Sequence, residues 1–332
     1  MAVSVRDVAL RAGVSVGTVS NVLNRRATVA PATAERVLAA IEELGFVRND
    51  AARQLRAGSS RSIGLLVLDV RNPFFTDVAR GAEERAQEEG LSVLLADSGE
   101  MLERESQHLD LFEEQRVRGL LITPVGDVAA RLERLRERGI PIVLVDRMAG
   151  AGGFSSVSVD DVAGGRLAAE HLLAAGRRRL LFVGGPLSLA QVADRLEGAR
   201  AAVAAVPHAR IDVLEIPSLT MASGVAAARR ILGADARPDA VFAANDVVAL
   251  GIQQGVGMLG ALKVPDDLAI VGYDDIDFAA AAAVPISSVR QPRELIGRTA
   301  VELLLAEIEG GHERQQIVFQ PEMVVRESTR TR

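Results

Sequence analysis

From position 63 onward, short apolar runs alternate with amphipathic stretches. Apolar residues recur at three- and four-residue spacing in stretches such as Thr76–Glu89 and Leu102–Glu114, which predicts helices. The apolar runs predict ten strands: Ile63–Val70, Leu91–Ala96, Gly119–Pro124, Ile140–Asp146, Ser155–Asp160, Arg179–Gly184, Ile211–Ile216, Ala240–Ala244, Leu268–Gly272 and Ile286–Val289. Strands apolar on both faces belong between helix layers, so the fold class is α/β with parallel, doubly wound sheets. Because ten strands exceed the usual single sheet, we predict two lobes with a cleft between them.

The first 48 residues have a different pattern, which predicts three helices and no strand. Ser4 and Asp7 can form a capping box at the start of the first helix, and Gly13 can end that helix in the left-handed conformation. Ser15 can cap a second helix, and Pro31 suits the first turn of a third. Two short helices joined by a tight turn have the layout of a helix-turn-helix headpiece.

The segment Val5–Asn24 (VRDVALRAGVSVGTVSNVLN) resembles the headpiece of the LacI/GalR family of bacterial transcriptional regulators. The resemblance continues through Arg36–Phe46 and Asn49–Leu55 and into the body, so it covers nearly the whole chain. It implies a headpiece at residues 1–48, a hinge helix and linker at 49–61, and an effector-binding, dimerising core at 62–332. Within that core it implies lobe one at about 62–157 and 290–316, and lobe two at about 158–289 and 317–328.

The resemblance also implies how DNA is bound. The second helix presents its outer face to the major groove, and Leu55 of the hinge wedges a base step in the minor groove of a pseudo-palindromic operator. The residues expected to contact DNA are Ser15, Val16, Gly17, Thr18, Ser20, Asn21, Asn24, Thr33, Asn49, Ala52 and Leu55. The chain departs from the family at Arg48, where proline is usual, and at Ala30, where a capping hydroxyl is usual.

Charge is distributed unevenly along the chain. Residues 1–61 carry nine arginines and five acidic residues, net +4, whereas the remainder has net charge −10. A basic module on an acidic body is typical of a nucleic-acid-binding headpiece, because neutralised phosphates supply most non-specific affinity. Charge alone leaves open a chance cluster of arginines.

Polar residues follow several predicted strands, at the edge where doubly wound sheets bind ligands. Singly, each is more typical of a helix cap or turn. Together they resemble the family's effector cleft, which is similar to periplasmic sugar-binding proteins and in which Arg195 matches the ligand-binding arginine. The expected effector-binding residues are Asn72, Phe74, Phe75, Asp146, Arg147, Asp160, Arg195, Asn245, Asp274 and Gln291. Carboxylates, amides and a guanidinium suit a polyhydroxylated ligand, so a sugar is favoured; a nucleoside or another small polar metabolite stays open.

Two motif matches suggest catalysis but lack its structural context. Gly13–Gly17 fits G-x-S-x-G, which needs a strand before the serine, where we predict a helix. Gly255–Gly260 fits G-x-G-x-x-G but lies at a predicted helix C-terminus, where the dipole disfavours phosphate. The chain has no cysteine, and its four histidines lack metal-ligand spacing. We therefore predict no enzymatic activity, cofactor or metal.

The chain begins without a basic segment followed by an apolar run, and no apolar stretch approaches the roughly 20 residues that span a bilayer. We therefore expect a cytoplasmic, nucleoid-associated DNA-binding repressor without a membrane segment. It should form a homodimer, because no leucine heptads after Val325 could assemble dimers into tetramers. An activator or a corepressor-dependent regulator is the alternative within regulation. A small-molecule binding protein or an enzyme on the same lobes is the alternative class.

Overall fold

The computed structural model describes residues 3–46, 60–126, 128–149, 153–260, 262–310 and 313–330. The chain divides into two compact units, residues 1–59 and 60–332. Across the described ranges, no helix is both long enough and apolar enough to cross a membrane.

The first unit is the predicted three-helix headpiece. Its helices are α1 (Val5–Ala12), α2 (Val16–Asn24) and α3 (Pro31–Leu44), with a 3₁₀ turn at Arg26–Thr28. The capping box of Ser4 and Asp7 is present, Gly13 has φ +63°, and Ser15 Oγ accepts a hydrogen bond from Thr18 N–H. These local signals separate α1 from α2 by three residues, which confirms the helix-turn-helix layout.

A small apolar core closes this unit. Val8, Val19, Val22, Val37 and Phe46 are buried together, with alanines from α1 and α3 between them. No side-chain cap precedes α3, as the alanine at position 30 predicts, and the helix begins directly at its proline. The core leaves most of the first turn of α2 exposed.

The second unit consists of two six-stranded sheets. The first has the order β11-β5-β4-β3-β1-β2, and the second has the order β12-β10-β9-β8-β6-β7. The strands are β1 (Ser62–Val67), β2 (Ser92–Asp97), β3 (Leu120–Ile122), β4 (Ile142–Val145), β5 (Ser155–Val159), β6 (Arg179–Gly184), β7 (Arg210–Glu215), β8 (Ala240–Ala243), β9 (Ala269–Asp274), β10 (Ser287–Arg290), β11 (Gln316–Phe319) and β12 (Glu322–Val324). All described pairings are parallel except that of β10 with β12. The predicted two-lobed, doubly wound architecture is confirmed.

Helices cover both faces of each sheet. They are α4 (Pro73–Glu88), α5 (Leu102–Glu114), α6 (Ala129–Glu137), α7 (Asp161–Ala174), α8 (Ala190–Ala204), α9 (Met221–Leu232), α10 (Asp246–Leu259), α11 (Asp277–Ala280) and α12 (Arg293–Glu309). The chain crosses between the lobes after β5, after β10 and after β11. The sequence placed the last crossing at residues 316–317, but Gln316–Phe319 pairs with Ser156–Val159 in the first sheet, so the crossing follows Phe319.

Three helix pairs pack so closely that only glycine fits at their contacts. The pairs are α4 with α12, α7 with α8, and α9 with α10. In each pair, a Cβ on a glycine of one helix would lie within 2.4 Å of a backbone carbonyl oxygen of the other. The glycines are Gly81, Gly297, Gly165, Gly198, Gly224 and Gly251. These contacts fix the depth at which α8, with Arg195, lies against α7.

Candidate functional site

The carboxyl ends of the strands of both lobes face one cleft. Its wall contains the predicted residues Asn72, Phe74, Phe75, Asp146, Arg195, Asn245 and Asp274. The phenylalanine rings meet edge to face, with centroids 4.9 Å apart. The free volume in the cleft is about 30 Å³, which holds one or two water molecules.

Two aspartates occupy equivalent places in the two lobes. Asp146 follows β4, Asp274 ends β9, and each of these strands is third in the order of its sheet. Both have a left-handed backbone, with φ +54° and +101°, which is rare outside glycine and concentrates at functional sites. Each accepts a hydrogen bond from the opposite lobe: Gln191 Nε2 donates to Asp146 Oδ2 (3.1 Å) and to its carbonyl (2.7 Å), and Asn72 Nδ2 donates to Asp274 Oδ2 (3.1 Å). The lobes are thus joined through their central carboxylates.

Arg195 lies buried at the base of the cleft. Its Nε donates to Asp161 Oδ1 (2.8 Å), and its Nη1 donates to the carbonyl of Ala244 (2.8 Å). The guanidinium carbon lies 3.7 Å from the ring centroid of Tyr273, a cation–π contact. Burial lowers the pKa of Arg195, but the surrounding carboxylates, led by Asp161, outweigh it and raise the pKa above its ordinary value. The arginine is therefore a fixed cation.

Burial also changes the ionisation of the cleft carboxylates. It raises the pKa of Asp274 to about 6, although Arg195 and the two amide donors oppose the shift. Burial, reinforced by Asp161, raises the pKa of Asp146 as well. At the cleft mouth, burial and the nearby Asp69 raise the pKa of Glu100 to about 7. The cleft therefore exchanges protons near neutral pH.

Asp274 should make the core less stable as pH rises. Its folded-state pKa of about 6 exceeds the ordinary 3.8, so the folded state binds the proton more tightly and its contribution is lost as pH rises through about 6. From about pH 4 to about pH 8, we expect the parent to lose about 3 kcal/mol more unfolding free energy than Asp274→Asn. Urea unfolding of both proteins across this range measures the difference. Parallel pH profiles would contradict the assignment.

Three predicted residues do not line the cavity. Asp160 caps α7 by accepting from Ala163 N–H (2.8 Å), and its neighbour Asp161 points to the arginine instead. Arg147 is partly buried beside the cavity. Gln291 lies behind Asp274 and donates to its Oδ1 (2.8 Å).

The structure adds cleft residues that sequence reasoning missed. Gln191 bridges the lobes, Glu100 lines the mouth, and Asp161 holds the arginine. The acid pair at 160–161 was a usable signal, but the pattern could not tell which carboxylate would cap the helix. For Gln191 no sequence signal existed, because its partner lies 45 residues away.

In the first unit, the predicted DNA-contacting residues cluster on α2 and its start. Ser15, Val16, Gly17 and Asn21 are exposed, whereas Thr18, Ser20 and Thr33 are partly buried. Ser15 Oγ lies 2.9 Å from Thr18 Oγ1, so the serine serves first as a helix cap. Asn24 ends α2. The predictions for Asn49, Ala52 and Leu55 lie outside the described residues.

The two motif matches have the context that the sequence predicts. Gly13–Gly17 follows the helix α1, and Gly255–Gly260 lies at the C-terminal end of α10, where Gly260 is the left-handed cap. Within the described ranges, no group of three or more His, Asp or Glu side chains is arranged to hold a metal ion.

Comparisons with known proteins agree with this organisation. Residues 4–49 match the family described as bacterial regulatory proteins, lacI family, and residues 169–329 match a periplasmic binding protein-like domain. The HTH-type transcriptional repressor PurR of Vibrio campbellii is 33% identical over 332 residues, covering 98% of each chain. The solved complex of the transcriptional regulator CelR with cellobiose is 34% identical, covers 98% of this chain and 99% of CelR, and has a TM-score of 0.72. The lac repressor dimer bound to operator and the anti-inducer ONPF is 28% identical, covers 99% of each chain, and has a TM-score of 0.84.

Proposed function

Because the chain belongs to the lacI family of bacterial regulatory proteins and is a DNA-binding repressor with a small-molecule effector, we propose that its effector is a sugar bound between the lobes of a homodimer. The observation that carries this proposal is the pair of cross-lobe carboxylates beside the buried arginine. A ligand that contacts Asp146 and Asp274 touches both lobes at once. Its binding therefore changes how the lobes close.

The unpartnered polar atoms of the cleft support a polyhydroxylated ligand. Among the described residues, the buried atoms without a hydrogen-bond partner include Asp146 Oδ1, Gln191 Oε1 and Asn245 Nδ2. Two of these atoms accept and one donates. Each sugar hydroxyl can both donate and accept, so a ring with several hydroxyls satisfies this mixed set.

The effector enters only when the lobes separate. A free volume of about 30 Å³ is far below the roughly 300–1,000 Å³ of ordinary ligand pockets. Opening breaks the hydrogen bonds that Asn72 and Gln191 make across the cleft. Hydroxyls of the ligand then take over the same carboxylate oxygens, so binding and lobe geometry are linked.

A ligand screen tests the effector class. The protein has one tyrosine, Tyr273, and no tryptophan, so its intrinsic emission reports on the base of the cleft. Mono- and disaccharides are screened by thermal shift and tyrosine emission, with nucleosides and nucleobases as the competing set. A sugar at about 100 times its Kd should stabilise the core by about 2.7 kcal/mol. Binding of nucleosides or nucleobases alone would show that the sugar assignment is wrong.

Leu55→Ala should weaken binding to the operator far more than binding to random DNA. We propose that the leucine opens the central base step, so its loss removes shape-dependent affinity, about ten- to a hundredfold, comparable with one mismatched base pair. The operator is first selected from randomised duplexes, and a pseudo-palindrome is expected. Thr18→Ala is the matched comparison. Thr18 is expected to contact the DNA backbone rather than a base, so its loss should weaken binding to all DNA sequences alike. If Leu55→Ala lost equal affinity for the operator and for random DNA, Leu55 would not act as a wedge in the operator.

An exposed apolar strip supports the homodimer. Leu94 and Leu95 lie exposed on the edge strand β2, and Met101 and Leu102 lie exposed at the start of α5. In lobe two, Met221 is also exposed, and Leu219, two residues before it, lines the cleft together with Glu100. Exposed apolar side chains grouped on an edge strand and the helix that follows it are typical of protein–protein contacts. We propose that a second copy of the chain covers it.

Leu95→Arg should therefore yield monomers at micromolar protein concentration, because it places a charge inside the apolar contact. Sedimentation velocity gives the mass of the particle. The affinity for the palindromic operator should fall when the dimer dissociates, because a monomer binds only one half-site. Leu295→Arg is the control: the parent leucines are equally exposed, at 47%, but Leu295 lies on α12, outside the strip. A dimer that persists in Leu95→Arg, or a tetramer in the parent, would contradict this assembly.

A further inference from the structure

The turn after β9 has an unfavourable backbone. Asp274 and Asp275 are consecutive, and both have positive φ, +101° and +55°. L-residues rarely adopt this region, and two in succession persist only where the surroundings hold them. The conformation of this turn sets the position of the Asp274 carboxylate, which accepts a hydrogen bond from Asn72 across the cleft.

A buried carboxylate supplies that support from behind the turn. Asp246, at the start of α10, has no exposed surface. Its Oδ2 accepts from Ile276 N–H (2.9 Å), and its Oδ1 accepts from Ser288 Oγ–H (2.7 Å). Ser288 Oγ in turn accepts from Asp275 N–H (3.0 Å). Two successive amides of the turn are thus bound, one directly and one through the serine.

The surrounding residues are shaped for this arrangement. A Cβ at Gly272 would lie 2.0 Å from Asp246 Oδ1, so only glycine leaves room for the carboxylate. Arg290 and Arg326 hold the other side of the turn, at 2.7 Å and 2.6 Å from the Asp275 carboxylate oxygens. Burial raises the pKa of Asp246, and the bonds from Ser288 and Ile276 oppose the shift.

We propose that Asp246 is a positioning residue for the effector-binding carboxylate. Acting through Ser288 and the amides of residues 275 and 276, it holds the strained turn so that Asp274 reaches the opposite lobe. The effector role of Asp274 rests on the proposed function, whereas the positioning itself is independent of the effector.

The same chain of contacts continues into lobe one. Asn72 donates from Nδ2 to Asp274 Oδ2 (3.1 Å), and its Oδ1 accepts from Phe74 N–H (3.1 Å) at the start of α4. The first amides of a helix have no partner within the helix, so the protection of this amide depends on the orientation of Asn72. Displacement of Asp274 is therefore detectable at Phe74, far from Asp246 in sequence.

Hydrogen exchange on the full-length protein tests the proposal. Asp246→Ala removes both carboxylate oxygens, so the amide of Ile276 and the hydroxyl of Ser288 lose their acceptors. We expect exchange to accelerate about ten- to a hundredfold at the amides of residues 275 and 276 and also at Phe74, the scale of leaving a buried amide without its acceptor. Ser288→Ala removes the link between Asp246 and the amide of residue 275 but leaves the bond to Ile276, so exchange should accelerate at residue 275 and at Phe74, which tests the proposal if Asp246→Ala does not fold.

Glu105→Ala is the matched control. Glu105 is a buried carboxyl of lobe one that accepts from Val125 N–H (2.7 Å) outside the cleft, and its exchange effects should stay local. The proposal is overturned if the turn loosens in Asp246→Ala or Ser288→Ala while Phe74 keeps its parental protection, or if neither site changes. Since no ligand takes part, failure of the sugar assignment would leave this result standing.

Discussion

Arg195→Ala is expected to abolish the effector's control of operator binding and to lower the unfolding free energy of the core by about 3–5 kcal/mol. The stability loss follows because alanine leaves the buried carboxylate of Asp161 and the carbonyl of Ala244 without their donor. The control is lost because the fixed cation at the base of the cleft is gone. Operator titrations with and without effector measure the response, which we expect to be about 5–150-fold in the parent and reciprocal between the two sites.

A second variant separates the two effects of this substitution. Arg195→Met combined with Asp161→Asn removes the buried ion pair as a unit, so part of the stability should return while the effector response stays absent. Arg85→Ala, at a partly buried arginine paired with Glu89, controls for loss of an arginine elsewhere in the core. If a folded dimer of Arg195→Ala lost operator binding, or if its effector response were unchanged, the assignment of Arg195 to the effector site would be wrong.

Gly165→Ala is expected to weaken effector binding and to destabilise the core by about 1–3 kcal/mol, as overpacking usually does. A Cβ at this position would lie 1.9 Å from the carbonyl oxygen of Arg195, so α8 has to move away from α7. The arginine moves with it and loses its alignment over Tyr273. Denaturant unfolding gives the stability, and effector titration followed by tyrosine emission gives the affinity.

Gly257→Ala is the matched control for this substitution. Gly257 also lies inside a helix, α10, but nothing lies within 4 Å of where its Cβ would be. Alanine there should stabilise the protein by about 0.5–1 kcal/mol, because it restricts the unfolded chain and favours the helix. If both variants behaved alike, close packing of α7 and α8 would not set the depth of the arginine.

The cross-lobe bonds connect the effector site with lobe movement. In the structure, Asn72 and Gln191 hold the oxygens of Asp274 and Asp146 that a ligand would use. A ligand can shift the lobe equilibrium only by its differential affinity for the two arrangements. The effector must therefore replace these bonds with better ones in one arrangement of the lobes, and that preference decides whether it releases or strengthens operator binding.

The sequence by itself determined the elements and the fold class. Ser4, Gly13 and Ser15 act within three or four residues of themselves, so local pattern places the boundaries of α1 and α2. The central strands β3, β4 and β8 are apolar and buried over their whole length because helices cover both faces, and this shows as continuous apolar runs. The family resemblance is likewise carried by contiguous residues of the headpiece and hinge, such as Val5–Asn24 and Asn49–Leu55.

Only the tertiary structure decided which polar groups meet. The sequence chose Asp160 for the effector site, but its carboxylate is used within its own helix turn, and Asp161 reaches the arginine 34 residues away. The strands β11 and β12 are short and half exposed, and their membership in separate sheets depends on partners far along the chain. Gln191 lies in a stretch to which the sequence pattern assigned no role, at the start of the observed helix α8. Its role exists because folding brings α8 against the end of β4, and such a long-range contact leaves no periodicity in the sequence.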